Sequence, residues 1–160
     1  MSNICFASPS PYMKKTITKI LTQQPVHHIG TVSSDTLETP VLIERFLAEL
    51  QHRDPGRYAI EQLEWEEIQK EHASDEQQSF FLDSMFMILD AIAPPFCYFG
   101  AHPDDAACFG FWVSSFLLDD VPTFTEGQKG LPTDDWLLCE RSNGTSVLLN
   151  QKTGVVAWTL

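Results

Sequence analysis

Between residues 39 and 50 the apolar positions Ile43, Phe46, Leu47 and Leu50 recur at steps of three and four. That is the period of one helix face. Thr39-Pro40 supplies a start signal before it, and Asp54-Pro55-Gly56 a stop after it. The next segment, "YAIEQLEWEEIQKEH", predicts a second helix with Ile60, Leu63 and Ile68 on its apolar side and the acids turned to solvent. Ser74-Asp75-Glu76-Gln77 has the spacing of a capping box and opens a third helix. Phe81, Met85, Ile88 and Leu89 form its buried side, and Phe80, Leu82, Phe86 and Met87 widen the apolar surface almost all round. That breadth predicts the central helix of the fold, and Pro94-Pro95 ends it. Upstream, Ser10-Pro11 predicts the start of a short helix over "YMKKTITKILTQQ" with Ile17, Ile20 and Leu21 on one side. "PVHHIGTVSSDTLE" reads as a loop or a short strand.

The period changes after residue 95. "FCYFG" (96–100) and "CFGFWVS" (108–114) are short, aromatic and bounded by turn residues, as strands are. A long polar loop, "DDVPTFTEGQKGLPTDD", separates them from "WLLCERS", "TSVLLN" and "GVVAWTL". Asn143-Gly144 predicts a hairpin with a two-residue type I′ turn, and Lys152-Thr153-Gly154 the turn after it. Helices followed by strands, without strand-helix alternation, give an α+β class: N-terminal helices packed on a C-terminal antiparallel β-meander. The expectation is one domain over 1–160, mainly helical over 1–93 and mainly β over 94–160.

Charge narrows the function classes. The net charge is −12, with thirteen acids against four bases in 38–90 and eight against three beyond residue 90. Such a chain repels phosphates, so no direct nucleic-acid ligand is expected, while a basic protein partner is admitted. No run approaches the roughly 18 apolar residues of a membrane span. "MSNICFASPSPYMKK" has no basic start with a long apolar segment, so the expected setting is cytoplasmic. Cys5, Cys97, Cys108 and Cys139 show no C-x-x-C pair and are expected as free, mostly buried thiols.

Ala101-His102-Pro103-Asp104-Asp105 resembles the signature of the PIG-L/LmbE family of zinc-dependent deacetylases. The resemblance implies His102 and Asp105 as zinc ligands and Asp104 as the base on the metal-bound water, whose proton zinc makes easier to remove. The match departs from the family at Ala106, where a Glu belongs. His27, His28, His52 and His72 all precede His102, so none follows to complete a zinc site. The family motif sits early, after a first strand, whereas here 55 residues follow Asp105 (160 − 105). The segment reads instead as two aromatic strands joined by a loop of about seven residues, with Pro103 at the second position of a type I turn.

"YFGAHPDDAACFGFW" with "LCERSNGTSVLLNQKTGVVAWTL" is also similar to a group of small bacterial and phage proteins carrying a YFGAHxxDGxxFGFW segment. This similarity covers roughly the last 65 residues and implies shared architecture but no mechanism. No phosphate-binding loop, dinucleotide fingerprint or nucleophile elbow occurs. The expectation is therefore a small acidic protein-binding module of immunity or anti-defence type, from a bacterium or mobile element, with no catalytic residue and no cofactor. Its contact surfaces are expected on the helices of 38–90 and the loop at 115–135, with His102, Asp104, Asp119 and Asp120 as binding candidates. The edge of the last strand also admits a homo-oligomer. The rival is a zinc-dependent hydrolase using His102, Asp104 and Asp105.

Overall fold

The computed structural model describes residues 21, 23–128 and 130–160. The predicted helix over "YMKKTITKILTQQ" falls almost wholly outside them, as does Cys5. The chain forms two compact units, one of Ile29–Ser114 and one of Ser115–Leu160 with the described residues up to His28.

The first unit runs β1 (Gly30–Ser33), α1 (Thr39–Arg53), α2 (Pro55–Lys70), α3 (Asp75–Ala91), β2 (Cys97–His102) and β3 (Asp105–Val113). Its antiparallel sheet has the order β1-β3-β2. The helix ends follow the sequence signals closely. Pro40 sits in the first turn of α1, with Glu38 rather than Thr39 as the cap. Asp54 both closes α1, its N–H donating to the Leu50 carbonyl, and opens α2, its carboxylate accepting from the Arg57 N–H. Ser74 and Gln77 form the full capping box of α3.

Two expectations about the helices are corrected. The central helix is α1, not α3. It buries Leu42, Ile43, Phe46, Leu47 and Leu50, and it packs on both other helices and on β1. The Phe46 ring meets Phe86 and Phe99 edge-on with centroids 5.0 Å away, and Phe109 at 6.0 Å. The apolar surplus on α3 does not make it central, because Phe80 and Met87 face solvent. The second correction is the orientation of α2. Trp65, its largest apolar group, takes the core side and stacks on Phe81 at 5.5 Å. Burying the indole removes more apolar area from water than Ile or Leu would. Glu61, one turn earlier, is carried inward to 3% exposure and pairs with Arg57 at 2.6 Å. Ile60 and Leu63 are left outside.

The short-strand alternative for 25–38 is realised as β1. It lies so close to β3 that a Cβ on Gly110 would stand 2.1 Å from the Gly30 carbonyl oxygen. The β2–β3 connection is a two-residue turn, Pro103-Asp104, rather than a seven-residue loop, since His102 and Asp105 are already paired. The Asp90 carboxylate accepts from the Phe99 N–H at 2.8 Å, tying the end of α3 to the edge of β2. Arg53 lies 3.8 Å over the Phe111 ring.

In the second unit, α4 (Ser115–Leu118) precedes a sheet of β4 (Thr123–Thr125), β5 (Trp136–Glu140), β6 (Ser146–Asn150) and β7 (Val155–Thr159), in that order. The predicted polar loop (119–135) thus contains a strand, and a helical turn precedes it. β4 runs parallel to β5, so the sheet is mixed and only β5–β7 form an antiparallel meander. Leu137, Cys139, Val147, Leu149 and Val156 form its core together with Leu21. The Asn143-Gly144 hairpin is not type I′. Gly144 alone has positive φ (84°), its N–H donates to the Arg141 carbonyl, and the Arg141 N–H donates to the Thr145 carbonyl. This is the three-residue loop in which a type I turn ends on a left-handed residue. Asn143 spends its side-chain oxygen on the Thr145 N–H and hydroxyl.

Gly110→Ala should cost about 1–3 kcal/mol by forcing β1 away from β3, and Phe46→Ala about 3–5 kcal/mol by opening a cavity where both helices and sheet meet. Denaturant midpoints at unchanged slope check both, and a Gly110→Ala protein of full stability refutes the close approach.

Candidate functional site

The β2–β3 hairpin brings His102, Asp104 and Asp105 within one turn, where the His102 and Asp105 side chains have local tasks. The Asp104 N–H donates to His102 Nδ1 at 3.1 Å. That bond needs the Nδ1 lone pair, which puts the proton of a neutral ring on Nε2. A metal-binding histidine has the reverse arrangement, with its non-ligating nitrogen donating. The imidazole edge meets Trp112 at 4.6 Å, and the Trp112 indole donates to the Gly100 carbonyl at 2.9 Å. Asp105 accepts from the Ala107 N–H at 3.0 Å, and Asp104 is exposed. The hairpin uses the His102 and Asp105 side chains to fix its own turn and its aromatic wall, and from Asp104 only the backbone N–H. Among the described residues, no group of three or more His, Cys, Asp or Glu is placed to hold a metal ion.

The remaining binding candidates are divided. His102 and Asp104 belong to the first unit, whereas Asp119 and Asp120 follow α4 in the second. Asp135, in another acidic pair, bridges to Lys152 at 2.6 Å. Cys97 and Cys139 are buried free thiols, and Cys108 is a half-buried one 3.5 Å from the Thr31 hydroxyl. Burial pushes the Cys97 and Cys139 thiols up from 9.0 to about 11, against a smaller opposing pull from Arg53 and Arg141 respectively. A thiol held in that range is a poor nucleophile at neutral pH. In the second unit, the backbone and side chain of Ser142 hydrogen-bond Glu126 and hold its carboxyl below the usual range.

The outward faces of α2 and α3 are the feature that the sequence pattern mis-assigned. Ile60, Leu63, Phe80 and Met87 are 60%, 64%, 64% and 74% exposed. Once Trp65 is set inward, Ile60 and Leu63 fall roughly 140° and 160° around the helix from it, at 100° per residue. Aligning α2 on its one aromatic core candidate, instead of on its aliphatic residues, would have found this. On α3, Phe80 and Met87 are seven residues apart and so nearly in line. Acids interleave with these groups: Glu64 and Glu67 on α2, Glu76 and Asp83 on α3, all exposed. α3 carries no basic residue.

Comparison with protein-family models, with curated proteins and with solved structures finds no match. No helix among the described residues is long and apolar enough to cross a membrane.

At pH 8, alkylation followed by peptide mapping should modify Cys108 well before Cys97 or Cys139, which should react only on unfolding. The raised thiols also set a pH window. Below pH 9 both folded and unfolded chains keep these protons; between about 9 and 11 only the folded chain does, so stability falls as pH rises through that range. Denaturation at pH 8 and pH 10.5 should show the loss, and Cys139→Ala should reduce it.

Proposed function

We propose that this protein is a non-catalytic acidic module that docks on a basic protein partner, in the manner of an immunity or anti-defence protein. The observation that carries the reading is the reversed amphipathicity of the two outer helices. α2 buries Glu61 while exposing Ile60 and Leu63, and α3 exposes Phe80 and Met87 although its inward side is already filled. Large apolar groups left in water lower the stability of an isolated chain and raise the affinity of one that is covered. Flanking acids steer a basic partner toward them and repel acidic surfaces.

The charge distribution supports the same reading, since 38–90 holds thirteen of the 22 acids. A cytoplasmic setting in a bacterium or its mobile elements fits the three free thiols among the described residues, which a reducing compartment preserves.

The test is capture of a partner from the native host by the immobilised protein and by a Phe80→Asp/Met87→Asp variant. Wild type should retain a basic protein at about 0.1 M salt and release it near 1 M, where the screening length falls from about 10 Å to about 3 Å. The folded variant should retain none. Recovery of no partner at low salt, or equal recovery by the variant, defeats the proposal.

A further inference from the structure

A groove of about 210 Å³ lies between α1 and α2. We infer that it receives a single guanidinium group, the arginine side chain of a basic ligand. Each helix contributes one stripe. Tyr58, Gln62, Trp65 and Gln69 follow at four, three and four residues along α2, and Glu44 and Gln51 are seven apart on α1. Such spacings place each set on one side of its helix.

Three properties of the lining select the ligand. Glu44 is its only charged residue, so the groove favours a cation and rejects an anion. Its polar surface consists largely of amides, and one of them is oriented: the Gln62 side-chain N–H donates to Glu66 at 3.1 Å. With one N–H engaged, Gln62 keeps its carbonyl oxygen as an acceptor and its second N–H as a donor. Gln51 and Gln69 add further amide oxygens, so an apolar ligand would strand polar groups without partners. The third property is the aromatic lining. Tyr58, half-buried, presents its ring to the groove, while Trp65, two turns later, 3% exposed and stacked on Phe81, forms its floor.

A ligand that is flat, cationic, rich in donors and able to lie against aromatic rings matches all three. Arginine combines these properties; the ammonium of lysine is a strongly hydrated point charge that stacks less well and offers three donors instead of five. The groove is thus a socket for one side chain, separate from the outward apolar stripes. It rests on the docking reading only for where the arginine comes from.

Capped arginine (N-acetyl-arginine amide) tests the socket with no partner present. In a heteronuclear NMR titration, the Trp65 indole N–H and the side-chain amides of Gln51, Gln62 and Gln69 should shift together and saturate in the millimolar range. Capped lysine should bind about fivefold more weakly, and capped citrulline, the neutral isostere, should not saturate. Glu44→Gln, an exposed change that leaves the core untouched, should weaken capped arginine about fivefold. Absence of saturation, citrulline binding as tightly as arginine, lysine binding more tightly, or a Glu44→Gln protein of unchanged affinity overturns the inference. Failure of the socket leaves docking on α2 and α3 standing. Failure of partner capture with arginine still bound leaves the socket standing.

Discussion

The edge-on packing of Phe46 against Phe86, Phe99 and Phe109 is the contact on which the larger unit depends. A single side chain of α1 touches α3 and both long strands of the sheet, so the placement of each is conditional on the others. Edge-to-face rings add a directional preference to the area they bury. Phe99 then packs on Phe111 at 4.8 Å, and Arg53, from the last turn of α1, covers the far ring. The Asp90 bond to the Phe99 N–H secures the same junction from the helix end, where an unpaired edge amide would otherwise need water.

With the core direction of α1 fixed, the outer helices have little freedom. The Trp65–Phe81 stack sets the rotation of both α2 and α3 about their axes. Rotating α2 to bury Ile60 and Leu63 would release Glu61 but expose the indole, and the indole is the larger loss. The exposed stripes are therefore a consequence of how the core is filled, and they persist without any partner.

Much of this was legible in the sequence because local signals there are unambiguous. Ser74 with Gln77, and Asp54 before Pro55, specify helix ends through bonds to the first-turn amides, and those bonds form wherever the rest of the chain goes. The α+β class followed from the change of period at residue 95. What failed was whatever depended on competition between sites. The orientation of α2 turned on Trp65 against Ile60 and Leu63, a choice made by the Phe81 ring, 16 residues beyond Trp65 (81 − 65). The strand at Thr123–Thr125 depends on β5 for its backbone partners, which its polar sequence does not announce. At Asn143-Gly144 the dipeptide does mark a turn, but the register is set by Arg141 pairing with Thr145, which makes the loop one residue longer. At the His102–Asp105 turn the residue types suit zinc chemistry, while backbone N–H groups of the tight turn engage His102 Nδ1 and the Asp105 carboxylate, a local use that the residue types alone do not announce.

The same arrangement of charge resolves a difficulty that the exposed apolar groups create. A surface carrying Phe80 and Met87 invites association with a second copy of itself, since an apolar patch is complementary to any other. Glu76 and Asp83 stand on the same stripe, and two such surfaces brought face to face would oppose like charges at short range across a drying interface. The penalty falls on self-association and on acidic proteins, and it becomes an attraction only when the opposing surface is basic. On the proposed docking reading, specificity comes as much from what the acids exclude as from what the apolar groups bind. It also accounts for the acids being interleaved with the apolar positions instead of gathered elsewhere on the helices, where they would serve solubility equally well but would not discriminate.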